Sequence, residues 1–256
     1  MSRKRAPSAA PRPAVRPPPG TGPANLLLAS LPADEFRHLQ PHLTTIPIRT
    51  RQILHKAGEP ITVVYFLNGG VASITTVLAD GTAVEAATVG NEGMLGVEAF
   101  LTPDAVAPGE TLIQVPDTSA ASMRVEAFRR VVEERPAFRD LMGRYTQTMI
   151  AQMMQSTACN ALHPVLQRCA RWLLMTHDRV QERDFDLSHE FLAVMLGVQR
   201  PTVSVVAGQL QTAGLIHYTH GRITVVNRRG LESAACECYA IIRARFQGLQ
   251  LLQPGA

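Results

Sequence analysis

The side chains best suited to chemistry cluster between Asp186 and Leu231. Ser188, with Glu190 close behind it, can cap a helix whose apolar body is Phe191, Leu192, Val194, Met195 and Leu196. Gly197 can end that helix in the left-handed conformation. Two residues later Arg200-Pro201-Thr202 opens a second helix, with Pro201 at a tolerated early position, and Val203, Val206, Leu210 and Ala213 continue it. Two helices of this length joined by a tight glycine-containing turn form a helix-turn-helix pattern. Gly214 to Tyr218 and Ile223 to Val226 then flank His220-Gly221-Arg222, which predicts a small hairpin with Arg222 near its tip. Between Glu190 and Glu232 there is no acid, while Arg200, Arg222, Arg228 and Arg229 are present. A stretch of this kind suits docking against phosphates.

The remaining reactive side chains point to less. Cys159, Cys169, Cys236 and Cys238 are too few and too clustered for a secreted disulfide framework, and a reducing compartment follows. Cys236-x-Cys238 could be combined with His217 and His220 into a metal site. A lone Cys-x-Cys on a helix, however, directs its sulfurs apart, so these cysteines read as buried small apolar side chains and no metal is expected. Nothing selects one of the eight histidines as a haem ligand. No nucleophile elbow, phosphate-binding loop with Lys or His-Glu-x-x-His occurs, and Glu133-Glu134 reads as a solvated helical face. The expectation is a protein that is not an enzyme and has no identified cofactor.

The elements that must position the Asp186–Leu231 region follow from the change in hydrophobic period along the chain. With 256 residues, 46% of them hydrophobic, one or two domains with a sizeable core are expected. The formal charge is +4, but residues 1–24 hold five basic residues and no acid. The rest carries 20 of the 25 basic residues against all 21 acids, so the leader sets the basic balance. That leader has seven prolines and no apolar period, and reads as disordered. Short helices are expected from Asn25 and Pro32. From Ile46 to about Met123 the segments are short, rich in Val, Ile and Thr, and punctuated by turns such as Asp80-Gly81, the pattern of an antiparallel sandwich or barrel. Phe138, Leu141, Met142, Tyr145, Met149 and Met153 then recur at helical spacing on a helix running to about Ala158, which suits either a core element or a partner helix, and a further helix spans Val165 to His177. No apolar stretch approaches the roughly 20 residues that span a bilayer, so a soluble cytoplasmic protein is expected.

Taken together, these motifs resemble the Crp–Fnr family of bacterial transcription regulators over about Leu31 to Leu231. Gly58-Glu59, Tyr65-Phe66-Leu67, Gly70, Asp80-Gly81 and Gly90 to Leu101 are similar to its cyclic-nucleotide-binding-like β-roll. Leu187-Ser188, Leu196-Gly197-Val198, Arg200, Thr202-Val203, Leu210, Gly214-Leu215-Ile216 and Gly221-Arg222-Ile223 are similar to its winged helix. The resemblance implies an α+β chain: leader 1–24, jelly-roll-like sensor 25–130, dimerisation helix 131–158, winged helix-turn-helix 159–240 and tail 241–256. It further implies that the helix opening at Gln199 enters the major groove. Arg200 matches the family's base-reading arginine, Gln199 and Ser204 are further base-reading candidates, Thr202 and Ser188 suit phosphates, and Arg222 belongs to the wing. Pro201 and Val205 depart from the family's usual Glu and Arg, so no operator sequence carries over. Leu141, Tyr145, Met149 and Met153 are expected to form the seam of a homodimer. Double-stranded DNA, a second copy of the chain and RNA polymerase are the implied partners, with no membrane. A nucleotide-binding member needs an Arg after the short helix of the Gly-rich segment. There is none from Gly58 to Met123, so cyclic AMP is not expected and the effector stays open. The alternative is an interaction module of the same fold whose helical tail only dimerises.

Overall fold

The computed structural model describes residues 23–115, 119–180 and 184–250. All but the last two residues of the expected leader lie outside them. Two short helices, α1 (Leu26–Ala29) and α2 (Ala33–Leu39), precede two four-stranded antiparallel sheets. The strands are β1 (Thr44–Pro47), β2 (Ile53–His55), β3 (Val63–Leu67), β4 (Val71–Val77), β5 (Ala83–Val89), β6 (Met94–Leu95), β7 (Glu110–Val115) and β8 (Ser119–Arg124). One sheet runs β1-β8-β3-β6 and the other β2-β7-β4-β5, with a short helix α3 (Glu98–Leu101) after β6. This is the jelly-roll-like arrangement expected of 25–130. The Asp80-Gly81 turn joins β4 to β5, and the Asp80 carboxylate accepts from the Thr82 amide at 2.8 Å.

The helical stretch that follows breaks where the sequence supplies a proline. Helix α4 (Val125–Glu134) ends at Arg135, whose extended backbone (φ −119°, ψ 95°) is the conformation a following proline imposes. Helix α5 (Pro136–Leu162) then runs 27 residues to His163-Pro164, a little beyond the expected Ala158. Arg135 closes the joint by donating two hydrogen bonds to Glu35 of α2, at 2.8 and 3.0 Å.

Helix α6 (Val165–Val180) leads through β9 (Asp184–Asp186) into α7 (His189–Leu196) and α8 (Arg200–Thr212). Strands β10 (Ile216–Thr219) and β11 (Arg222–Val225) complete a three-stranded sheet with β9, and α9 (Arg228–Ala234) follows. The chain from 241 onward is not a tail as far as Gln250. It belongs to α10 (Cys238–Gln250), whose Ile242, Phe246 and Leu249 are buried. Their three- and four-residue spacing is that of an apolar helical face.

One apolar core runs from the β-roll through α5 and α6 into the C-terminal helices. Polar groups bridge the two parts inside it. Trp172 of α6 donates its indole N–H to the Glu85 carboxylate of β5 at 3.0 Å, and Glu85 also accepts from Gln114 at 2.9 Å and from Ser73. Arg179 of α6 donates to Glu92 at 2.7 and 2.8 Å and to the Thr88 hydroxyl at 2.8 Å. Its aliphatic stem lies where a Cβ on Gly90 would stand, 2.6 Å away, so position 90 admits no larger residue without displacing the arginine.

Candidate nucleic-acid interface

Local capping chemistry sets the two helices at the intended angle. The Ser188 hydroxyl accepts from the Phe191 amide at 3.2 Å, and Gly197 ends α7 at φ 60°, ψ 41°, a left-handed cap. The axes of α7 and α8 are bent by 103° across that turn, within the range of helix-turn-helix units. Val203, Val206, Ala207 and Leu210 bury one side of α8, which leaves Gln199, Arg200, Thr202, Ser204 and Val205 on the exposed side. Gln199 is the N-cap residue but makes no side-chain cap bond. The turn between β10 and β11 is two residues long, with φ 48° at His220 and 81° at Gly221, the tight geometry that matches strand twist.

The electrostatics differ from the expectation. The window between Glu190 and Glu232 is free of acids in sequence but not in space. Arg200 pairs with Glu190 at 2.6 Å, just outside the window. Arg222 pairs with Asp184, and with Asp186 at 3.7 Å, because β9 is the neighbour of β11 in the sheet. Arg228 pairs with Asp178 at 2.6 Å and Glu232 at 3.0 Å. The exposed arginines of this face are therefore partly neutralised by their own domain.

Each proposed contact residue can now be placed. Arg200, Gln199 and Thr202 are exposed on the first turn of α8. Ser188 is half-buried and its oxygen is occupied by the cap. Ser204 lies exposed, its hydroxyl donating back to the Arg200 carbonyl at 3.3 Å and lying 3.0 Å from Nδ1 of His189. His189 stacks on Tyr218 of β10, ring centroids 4.3 Å apart and planes 17° from parallel. Burial, and then the neighbouring Arg200 charge, lower the His189 pKa against the opposing charge of Glu190, and this shift favours the neutral ring. This stack joins the cap of α7, the first turn of α8 and the wing. Sequence reasoning missed it because residues 189 and 218 meet only through the hairpin.

The expected dimer seam is turned the wrong way. Tyr145 and Met149 are buried in the core of their own protomer, and Leu141 and Met153 are half-buried against it. The Tyr145 hydroxyl donates to the Met94 carbonyl at 2.7 Å and accepts from the Met94 amide at 2.9 Å, which fixes this face on the β-roll. Ile150, Met154 and Leu162, exposed by 53%, 69% and 78%, stand on the outward side of α5 instead. The four cysteines are buried, as expected, and Cys159, Cys236 and Cys238 converge with His163, while His217 and His220 sit on the wing.

Comparison with known proteins shows what this geometry is similar to. Residues 167–234 match the family model described as a Crp-like helix-turn-helix domain. The C-terminal part of this chain is thus similar to Crp-like helix-turn-helix domains. No curated protein matches the chain. Among solved structures, the c-di-GMP-responsive global regulator of Xanthomonas campestris is 16% identical, with a TM-score of 0.63 over 76% of this chain and 99% of that one. A crp/fnr-family regulator from Eubacterium rectale is 17% identical, with a TM-score of 0.64 over 81% and 96%. A CRP-family regulator from Thermus thermophilus is 21% identical, with a TM-score of 0.61 over 74% and 96%. The fold of this chain is thus the one shared by these Crp/Fnr-family structures. Among the described residues no single helix is long and apolar enough to cross a membrane.

Proposed function

We propose that this chain regulates transcription as a homodimer whose two Crp-like domains read an inverted repeat through the major groove. The observation that carries the reading is the exposed first turn of α8, where Gln199, Arg200 and Thr202 point outward above a buried apolar face. Arg200 bonds guanine O6 and N7 in this reading, Gln199 reads an adjacent base edge, and Thr202 contacts phosphate. Ser188 serves as a cap, and Ser204 as a brace between Arg200 and His189. The two protomers meet along the outward side of α5, at Ile150 and Met154, which sets half-sites about 34 Å apart. RNA polymerase is the expected protein partner.

The segment in which the family resemblance places the cyclic-phosphate arginine supplies none, since neither α3 nor residues 102–110 contain Arg or Lys. The signal is therefore of another chemistry than cyclic AMP, and calorimetric titration with cyclic AMP should release no heat of binding. Selection of bound sequences from a random duplex pool should enrich a twofold-symmetric motif. Arg200→Ala should weaken binding to that motif by about 1–3 kcal/mol, leaving salt-sensitive, sequence-independent binding. Unchanged operator affinity would defeat the assignment. The ion pairing of Arg200 and Arg222 favours a second reading, a dimerising module of the same fold that binds no specific DNA. The same selection separates the two, because such a module enriches no motif.

A further inference from the structure

The cysteine group behind the Crp-like domain has the composition and spacing of a metal site. Cys159 and His163 lie one turn apart at the C-terminal end of α5, where the His163 amide donates to the Cys159 carbonyl at 3.0 Å. Cys236 and Cys238 come from the junction of α9 and α10. The Cys-x-Cys pair is not on one helix: Cys236 precedes α10, Glu237 forms a turn and Cys238 opens the helix. That change of backbone direction brings both sulfurs to the same side. One ligand atom from each of the four residues lies within 4.8 Å of every other. Cys159 Sγ is 3.5 Å from Cys236 Sγ, and Cys238 Sγ is 3.5 Å from His163 Nδ1.

We propose that Cys159, His163, Cys236 and Cys238 form a tetrahedral site for a thiophilic divalent metal, with Zn2+ as the ion of first choice. Bonds of about 2.3 Å to sulfur and about 2.0–2.1 Å to nitrogen place tetrahedral ligand atoms roughly 3.6–3.8 Å apart. The Cys159–Cys236 and Cys238–His163 pairs, both at 3.5 Å, lie just inside that spacing. The four atoms are too close to surround an iron–sulfur cubane, whose ligands stand off at the corners.

The surroundings are those of a ligand set rather than of apolar packing. His163 Nε2 faces the Glu237 carboxylate at 3.3 Å, so its proton belongs there and the Nδ1 lone pair is left for the metal. Gln155 Nε2 donates to Cys238 Sγ at 3.0 Å, a bond that favours thiolate. The three sulfurs form a buried cluster of their own, outside the main core. Among the described residues, the Nε atoms of two buried arginines of α6, Arg168 and Arg171, meet no hydrogen-bond partner. Binding of M2+ displaces three thiol protons and leaves three thiolates and a neutral imidazole on the ion, net charge −1, which these guanidinium groups offset. Arg168 also donates to the Leu196 carbonyl at 3.0 Å, at the end of α7. The metal would clasp the end of α5 to the start of α10, one side chain away from the turn between α7 and α8.

The test uses the full chain, stripped with a chelator under reducing conditions and reloaded with Zn2+ or Co2+. One equivalent should bind, and Co2+ should give the intense d–d and thiolate charge-transfer bands of a tetrahedral thiolate complex. X-ray absorption of the Zn2+ form should show three sulfur neighbours and one nitrogen. Cys238→Ser and His163→Ala should each lose or weaken metal binding, whereas Cys169→Ser, buried elsewhere, should keep it. If a ligand variant does not fold, the absorption spectrum of the unaltered chain still decides. No metal uptake, a shell without sulfur, or a stable Cys159–Cys236 disulfide in freshly purified protein would each overturn the site. None of these outcomes depends on whether the chain binds DNA.

Discussion

Arg200 is already engaged before any duplex arrives. If it reads DNA as proposed, its 2.6 Å ion pair with Glu190 is exchanged for contacts to base or phosphate, and both partners are solvent-exposed, so the pair itself is weak. Glu190→Gln should free the arginine: affinity for any duplex should rise, and the slope of log affinity against log salt should steepen, by at most about 0.9 for one added phosphate contact. A fluorescence-anisotropy titration at several salt concentrations reads both. An unaltered slope would mean that Arg200 meets no phosphate, and an unaltered affinity as well that it meets no guanine. Glu85 presents the opposite situation. It is wholly buried, and desolvation raises its pKa despite bonds from Ser73 and Trp172 and the charges of Arg171 and Arg179. For a carboxyl raised in the folded state, stability declines as pH climbs from the ordinary glutamate range through the folded value. Glu85→Gln keeps an acceptor for Trp172 and removes the titration, so the pH dependence of urea unfolding should flatten above mildly acid pH. An identical slope in the variant would place that dependence elsewhere. Neither situation was legible from spacing alone: the acids that neutralise Arg200 and Arg222 lie outside the acid-free window and are brought in by the α7 cap and the β9–β11 register.

At the scale of elements, the turn chemistry carried most of the information. Gly197 and Asp80-Gly81 mark their turns because few other residues tolerate those conformations, and the α7–α8 and β4–β5 units appear where these residues place them. Helix α5 shows what an apolar stripe leaves open. Periodicity says that Tyr145 and Met149 share a face, not whether a sheet or a second helix covers it. Here the sheet covers it, and a second apolar side bearing Ile150 and Met154 is left outward. The two faces make separable predictions. Ile150→Asp with Met154→Asp should yield a folded monomer in light scattering, with melting little changed and DNA affinity lost. Met149→Asp places a charge in the protomer core and should instead lower stability by several kcal/mol. A dimer that survives the first pair would remove α5 from the interface.

Across the whole molecule, the two parts share one core, and buried polar bonds register them. Arg179 and Glu92 have side chains exposed by only 7% and 10%, so their ion pair is desolvated and strongly directional. Such a pair fixes α6 against the loop after β5 in one arrangement, which an apolar contact of the same area would allow to slide. A signal at the β-roll that moves Glu92 or Glu85 would therefore reach α6, and with it the helices packed on α6, as a change between discrete arrangements. Arg179→Leu strands Glu92 in the interface and should cost about 3–5 kcal/mol. Calorimetry should then show two transitions, the β-roll and the Crp-like domain melting separately, where the unaltered chain shows one. Adding Glu92→Leu removes the stranded charge and should recover part of the loss without restoring the register, so the two transitions persist. A single, unshifted transition in Arg179→Leu would mean that apolar contact alone unites the molecule, and that no polar lock couples sensing to the helix-turn-helix.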